Sequence, residues 1–285
     1  MKAISAVKKD IEFNTSLHSI VGVLKSIAVS EFHLLEQRIR TFEQFSAALE
    51  TFFDLVNLEL VQSPFVSPGN RPTAVVAVTS DQGLLGGLNN HVMMAALNEL
   101  GGKPGKLVVV GERGEVFVRE HNISAVVFPG IKDEYRYAQA MELRTHLANE
   151  VRAGQIGALK IIYPRPISFT VQRVEMLQFL PYRPANRKEL APEDYAWMHT
   201  IWESHPNDMV EYLLYLLLGQ KLYEVFGWSR LAELAARFVH LEESSQKLQE
   251  LNRKLRLEYF RIRHELIDRN MRELFAARSL FAHGK

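Results

Sequence analysis

Every proline in this 285-residue chain lies between Pro64 and Pro206, and residues 1–63 and 207–285 contain none. A proline inside a helix removes a backbone hydrogen bond and clashes with the preceding turn, at a cost of about 3 kcal/mol. The partition predicts two long helical arms around a turn-rich middle. Glycine follows it, with 12 of the 16 glycines between Gly69 and Gly157. The expected domains are an arm over 1–63, an α/β domain over 70–195 and a second arm over 207–285. A helical element built from both chain ends suits mechanical or partner-binding work.

The arms carry stripes of coiled-coil period. Phe13, Leu17, Ile20, Leu24 and Ile27 alternate spacings of four and three. One residue later the stripe restarts as Ala28, Phe32, Leu35, Ile39, Phe42, Ser46, Leu49, Phe53 and Val56. In the last arm Leu234, Phe238, Leu241, Ser245, Leu248, Asn252, Leu255, Tyr259, Ile262 and Leu266 keep the same alternation, then shift by one to Ile267, Met271, Leu274, Arg278 and Phe281. A 3.5-residue repeat imposes a left-handed supercoil. The matching stripes predict an antiparallel pair in which Leu24 and Ile27 face Leu255–Leu266. At 1.5 Å per residue, arms of about 55 and about 75 residues span roughly 80 and 110 Å, so the second should overhang the first. Gly219 and Gly227 weaken the start of the second arm by about 1 kcal/mol each, which allows a bend near Gly227-Trp228-Ser229.

In the middle, the runs Thr73–Thr79, Lys106–Val110, Ser124–Phe128 and Leu159–Tyr163 are short and rich in β-branched residues. The first suits a strand buried on both faces. Helix-length segments separate them: 88–100, 112–121 and 134–152. Alternating strand and helix predicts a mainly parallel, Rossmann-like α/β sheet. Thr170–Phe179 follows the fourth strand too closely for a helical crossover, so that pair should be antiparallel.

Composition narrows the function. A formal net charge of +1 gives no electrostatic footprint for nucleic acid. With no cysteine there is no disulfide framework and no zinc–thiolate site. The run Leu213–Leu218 falls far short of the roughly 18 residues that span a bilayer. The ten histidines form no metal-ligand pattern; His199 and His205 lie near Pro206 in a loop setting. No metal and no cofactor is expected, and no histidine is placed to complete a catalytic triad with Ser80 or Asp81.

After the first strand comes Thr79-Ser80-Asp81-Gln82-Gly83-Leu84-Leu85-Gly86-Gly87-Leu88-Asn89-Asn90. A strand, a Gly-rich turn and a helix can cradle phosphate. The spacing is G-x-x-G-G, however, not G-x-G-x-x-G, and no P-loop occurs. Gly111-Glu112-Arg113-Gly114 offers Glu112 as a ribose ligand, so a nucleotide- or dinucleotide-binding protein with a coiled-coil oligomerisation arm is the alternative reading. The bland account is that Gly83, Gly86 and Gly87 permit a tight turn while Asp81 accepts hydrogen bonds from its amides.

The motif resembles the T-S-D-R-G-L-C-G-G-L-N signature of the gamma subunit of F-type ATP synthases, with Gln82 for the Arg and Leu85 for the Cys. Ser229, Glu233, Ala235, Ala236, Arg237 and Phe238 match that family's S-x-x-x-E-x-A-A-R-M pattern. Leu257, Tyr259, Arg263, Ile267 and Met271 continue it. Ile11, Ile20, Leu24, Lys25, Ile27, Ala28 and Ser30 match the first-arm pattern. The chain departs at Ser19, Gly22 and Glu31, where the family is often basic, at Asp268-Arg269, and in the tip Ala276–Lys285, which resembles a divergent or alternative F-type ATPase. The resemblance implies a central-stalk rotor that couples proton or sodium flow to ATP synthesis or hydrolysis and performs no bond chemistry itself. It implies alpha and beta subunits, an epsilon subunit and a c-ring as partners. It implies a peripheral position on the cytoplasmic face of the bacterial inner membrane, with membrane contact only through the c-ring. It places stator contacts at Lys25, Arg263, Arg269 and Glu273, and makes Ser80, Asp81, Gly83, Gly86 and Gly87 the motif turn.

Overall fold

The computed structural model describes residues 4–39, 49, 53, 58, 61–67, 69–102, 104–183 and 204–282, with side chains as far as Ala276. Phe42, Ser46, Val56, His199 and the side chains of Arg278 and Phe281 lie outside the described residues. The elements run α1 Ile4–Ile39, β1 Thr73–Val78, α2 Leu88–Leu100, β2 Gly105–Val110, α3 Glu112–Glu120, β3 Val126–Phe128, α4 Arg136–Arg152, β4 Ala158–Pro166, β5 Gln172–Leu180 and α5 Pro206–Ala282. Two compact units emerge. One is Ala28–Arg237, and the other joins Met1–Ile27 to Phe238–Lys285. The division falls inside both long helices.

The first unit is built on a five-stranded sheet of order β3-β2-β1-β4-β5. β1 pairs parallel with β2 and β4, setting Val76 beside Val108 and Ile161. β5 is antiparallel to β4. Strand side chains alternate between faces. Val76, Val78, Val108, Val110, Leu159 and Ile161 enter one core, with Leu143 and Leu147 of α4 and Leu214, Leu217 and Leu218 of α5. Val75, Ala77, Val109 and Ile162 enter the other, with Val92, Met93 and Ala96 of α2 and Val118 of α3. Each such aliphatic side chain contributes about 1.5–3 kcal/mol by burial, so these runs carry no polar alternation. β3 is the exception. It lies at the sheet edge, where Val126 and Val127 are exposed. Pro164 and Pro166 lie within β4 but beyond Ile162, the last β4 residue that pairs with β1, so the missing N–H groups break no ladder on that side.

Gly219 and Gly227 do not end α5, which is one 77-residue helix. A Cβ on Gly219 would lie 2.8 Å from Arg144 Cδ and from Met141 Cε, and one on Gly227 would lie 3.3 Å from Ile39 Cγ1. Both let the helix approach α4 or α1 closely, so packing offsets the propensity cost. Phe169, in the β4–β5 hairpin, packs edge-on against Phe32 of α1 at 4.8 Å between ring centroids.

In the second unit the helix ends pair antiparallel. Lys25 Nζ donates to Glu242 Oε2 at 2.6 Å. His18 Nε2 lies 3.1 Å from Ser245 Oγ and 3.0 Å from Gln249 Nε2. Numbers fall along one helix as they rise along the other. The first expected stripe is corrected. Phe13 and Ile20 are 68% and 56% exposed, and Leu24 and Ile27 also face outward rather than toward Leu255–Leu266. The buried stripe is Val7, Asn14, Val21, Ala28 and Leu35, one heptad apart without a shift. Asn14, His18 and Lys25 occupy this seam, and their polarity hid it from a search for apolar residues. The last-arm stripe is buried or half-buried from Leu234 to Ile262, after which Leu266, Ile267, Met271 and Leu274 are exposed. The overhang expected from arm lengths is present within this unit.

Gly22 sits inside α1, and nothing lies within 4 Å of where its Cβ would be. Gly22→Ala removes backbone entropy from the unfolded chain without a clash and should stabilise the isolated chain by about 0.5–1 kcal/mol in urea denaturation.

Candidate functional site

The motif turn leaves the carboxyl end of β1. Sheet order reverses between β1 and β4, which is where open α/β sheets hold ligands. The first amides of α3, which follows β2, point at this turn and need acceptors. Three consecutive residues supply them. Glu112 N donates to Asp81 Oδ1 at 2.9 Å, Arg113 N to the Ser80 carbonyl at 2.9 Å, and Gly114 N to Thr79 Oγ1 at 3.0 Å. Thr79 Oγ1 in turn donates to the Val110 carbonyl at 2.7 Å. Asp81 therefore caps α3 and not its own turn, correcting the expectation above. The amide that a carboxylate of this turn reaches belongs to a residue 31 positions away, which no local pattern displays.

The turn closes through Asn89. Ser80 N donates to Asn89 Oδ1 at 3.2 Å, Asn89 Nδ2 donates to Ser80 Oγ at 2.9 Å, and Ser80 Oγ reaches the Gln82 carbonyl at 2.8 Å. Of the three motif glycines, Gly86 alone has a left-handed φ, at +61°. Gly87 has φ −90° with the His91 ring 3.3 Å from a Cβ position, and Gly83 has Arg113 Nη2 at 3.0 Å. Leu84 also takes a positive φ, +64°.

The glycines under tightest constraint lie elsewhere. A Cβ on Gly111, at φ +102°, would meet the Thr79 carbonyl at 2.5 Å. One on Gly114 would meet Thr79 Oγ1 at 2.6 Å, and one on Gly130 would overlap the Asp81 carboxylate. The segment Gly111-Glu112-Arg113-Gly114 is thus filled by Thr79, Ser80 and Asp81. The first amides of α3 are therefore already bonded within the chain. Gly130 was missed from the sequence; its only signal is the pair Pro129-Gly130 after the third strand.

α5 closes the same region. Leu85 and Leu88 pack with Ala236. Glu233, 4% exposed, accepts from Arg230 Nη1 at 2.8 Å, and Arg230 Nε reaches Asp133 Oδ2 at 3.4 Å. Burial pushes the Glu233 carboxyl up to about 7, against the pull of Arg230 and Arg237, and the Asp81 charge adds to the rise. The four expected stator residues are not gathered here. Lys25 is paired with Glu242 and lies 5.9 Å from the Phe238 ring centroid. Arg263, Arg269 and Glu273 are exposed on the last part of α5, with Arg269 Nε 3.9 Å from Glu273 Oε1. Among the described residues no group of His, Asp and Glu could hold a metal ion, and no helix is long and apolar enough to cross a membrane.

A family model described as ATP synthase matches residues 3–279. The ATP synthase gamma chain of Clostridium acetobutylicum is 26% identical over 277 residues, covering 94% of each chain. That of Desulforudis audaxviator is 23% identical, covering 96% of this chain and 97% of its own. A chain in the cryo-EM structure of the Euglena gracilis mitochondrial ATP synthase OSCP/F1/c-ring superposes with TM-score 0.73 at 15% identity, covering 99% of this chain and 95% of that one. A chain in the central stalk/c-ring structure of the Tetrahymena thermophila mitochondrial enzyme superposes with TM-score 0.59 at 16% identity, covering 79% and 99%.

The overlap at Gly130 gives a test of the capping arrangement. Gly130→Ala should cost about 1–3 kcal/mol in the parent chain. In an Asp81→Ala background the added methyl has room, so the second substitution should cost markedly less. The urea-unfolding cycle checks this, and additive losses would show that the two residues do not share the space.

Proposed function

The chain belongs to the ATP synthase family, and from that premise we propose that it is the gamma, central-stalk subunit of an F-type ATP synthase or ATPase. The observation that carries this reading is the agreement of relatives and fold over nearly the full length, 94–97% of both chains for the gamma chains cited. The subunit performs no bond chemistry. It couples rotation driven by proton or sodium flow to ATP synthesis or hydrolysis, because an asymmetric shaft contacts three catalytic sites differently and biases their nucleotide affinities. Alpha and beta subunits surround the paired helix ends, and the α/β unit meets the epsilon subunit and the c-ring. The protein is peripheral to the cytoplasmic face of the bacterial inner membrane and touches the membrane only through the c-ring.

Two features of this chain support the assignment. The paired helix ends bury a partly polar seam and turn Phe13, Ile20, Leu24 and Ile27 outward, an apolar surface that a surrounding sleeve would cover. The Gly-rich turn after β1 has neither G-x-G-x-x-G nor P-loop spacing, which disfavours the nucleotide-binding alternative. Arg263, Arg269 and Glu273 are the stator contacts best placed to reach a partner; Lys25 also belongs to this set, although Glu242 competes for it.

Co-expression with alpha and beta subunits should yield a complex that retains this chain through purification. The chain alone should show no ATPase activity and no micromolar ATP binding by calorimetry. In the assembled complex a Lys25→Ala/Arg263→Ala double variant should assemble normally, since exposed ion pairs contribute only about 0–1 kcal/mol each, but lose part of its ATP-driven ion pumping. Tight ATP binding by the free chain, or failure to co-purify, would refute the assignment.

A further inference from the structure

Glu233 lies on one face of α5 with Ser229 and Arg237, four residues apart in each direction. Its carboxylate is buried, and Arg230 donates a hydrogen bond to it. Arg230 is shared with Asp133, which Arg136 Nη1 also approaches at 3.9 Å. Asp81 from the motif turn repels Glu233 through space, while Arg237 attracts it. Glu31 of α1 faces Arg230 and Arg237. Ser229 Oγ and Arg237 Nη2 are buried with no hydrogen-bond partner among the described residues. The cluster therefore holds the carboxylates Glu31, Asp81, Asp133 and Glu233 against the guanidiniums Arg136, Arg230 and Arg237. A buried carboxylate is stable only when paired and when its remaining lone pairs are satisfied. Glu233 meets the first condition through a guanidinium that it shares with Asp133.

We propose that Glu233 is the proton-dependent member of a charge latch that seats α5 against the Asp81 turn, and that the latch is tight when Glu233 is protonated. A proton balances the four carboxylates against the three guanidiniums, removes the repulsion of Asp81 and releases Arg230 toward Asp133. Loss of the proton sets a buried anion beside the carboxylate that caps α3. Because burial raises the folded-state value to about 7, above the ordinary carboxylate value of roughly 4.3, the folded chain holds a proton that the unfolded chain has lost. The stabilisation is complete below the unfolded value and is lost as pH rises through about 7. The mechanical consequence, a shaft whose seat responds to pH, rests on the rotor reading; the titration itself does not.

The test is a carbon-13 NMR titration of the glutamate carboxyls in the full chain. One carboxyl should inflect near neutral pH and vanish from the spectrum of Glu233→Gln. Asp81→Asn should move that inflection down, by removing a negative charge, and Arg237→Gln should move it up; these paired shifts decide the matter even if Glu233→Gln does not fold. The thermal midpoint of the parent chain should fall as pH rises from about 5 to about 8, and this dependence should flatten in Glu233→Gln. A Glu233 that titrates with the surface carboxylates, or stability that rises with pH across that window, would overturn the latch. Either result would leave the rotor assignment standing, because co-purification tests that separately.

Discussion

The amino end of α3 must find three acceptors, and the way it does so organises the α/β unit. Thr79, Ser80 and Asp81 run antiparallel to Glu112, Arg113 and Gly114, each taking one amide. For this the end of β1 must lie against the start of α3 closely enough that Gly111, Gly114 and Gly130 have no room for a Cβ. The same contact places Leu85 and Leu88 on Ala236 of α5 and brings Asp81 within the field of Glu233. An uncapped helix end buried here would cost more than any single apolar contact returns.

The paired helix ends obey a different balance. Their seam includes Asn14, His18, Lys25, Glu242 and Ser245, so apolar burial between the two helices is limited. The larger apolar residues Phe13, Ile20 and Ile27 look outward. A polar layer in a coiled coil fixes register at a cost in stability. Such a pair gains its remaining stability from whatever covers its outer face, which is consistent with a subunit that works inside an assembly.

Much of the α/β unit was legible in the sequence because strand and helix periods differ and the strands are buried on both faces. The run Leu88–Leu100 matches α2, and the antiparallel turn of β5 follows from a connection too short to cross over. The motif was legible as a Gly-rich turn, but its partners were not. Asp81 bonds an amide 31 residues away and its carboxylate abuts Gly130; both relations depend on β1, β2 and β3 lying side by side. The first-arm seam was misread for a related reason. A stripe search equates apolar with buried, and here Asn14 is buried while Phe13 is not.

The sequence by itself determined where helices could run unbroken, because proline's missing N–H and fixed ring act locally and exclude it from every residue outside 64–206. It determined the alternation of strand and helix through side-chain period, and the family through the motif and its register with the arms. Only the tertiary structure decided which face of α1 meets α5, which amides Thr79, Ser80 and Asp81 cap, and that the buried Glu233 shares one guanidinium with the exposed Asp133. Those outcomes depend on groups brought together from distant parts of the chain. Hydrogen bonding, desolvation and steric overlap act over a few ångströms of space, whatever the separation in sequence.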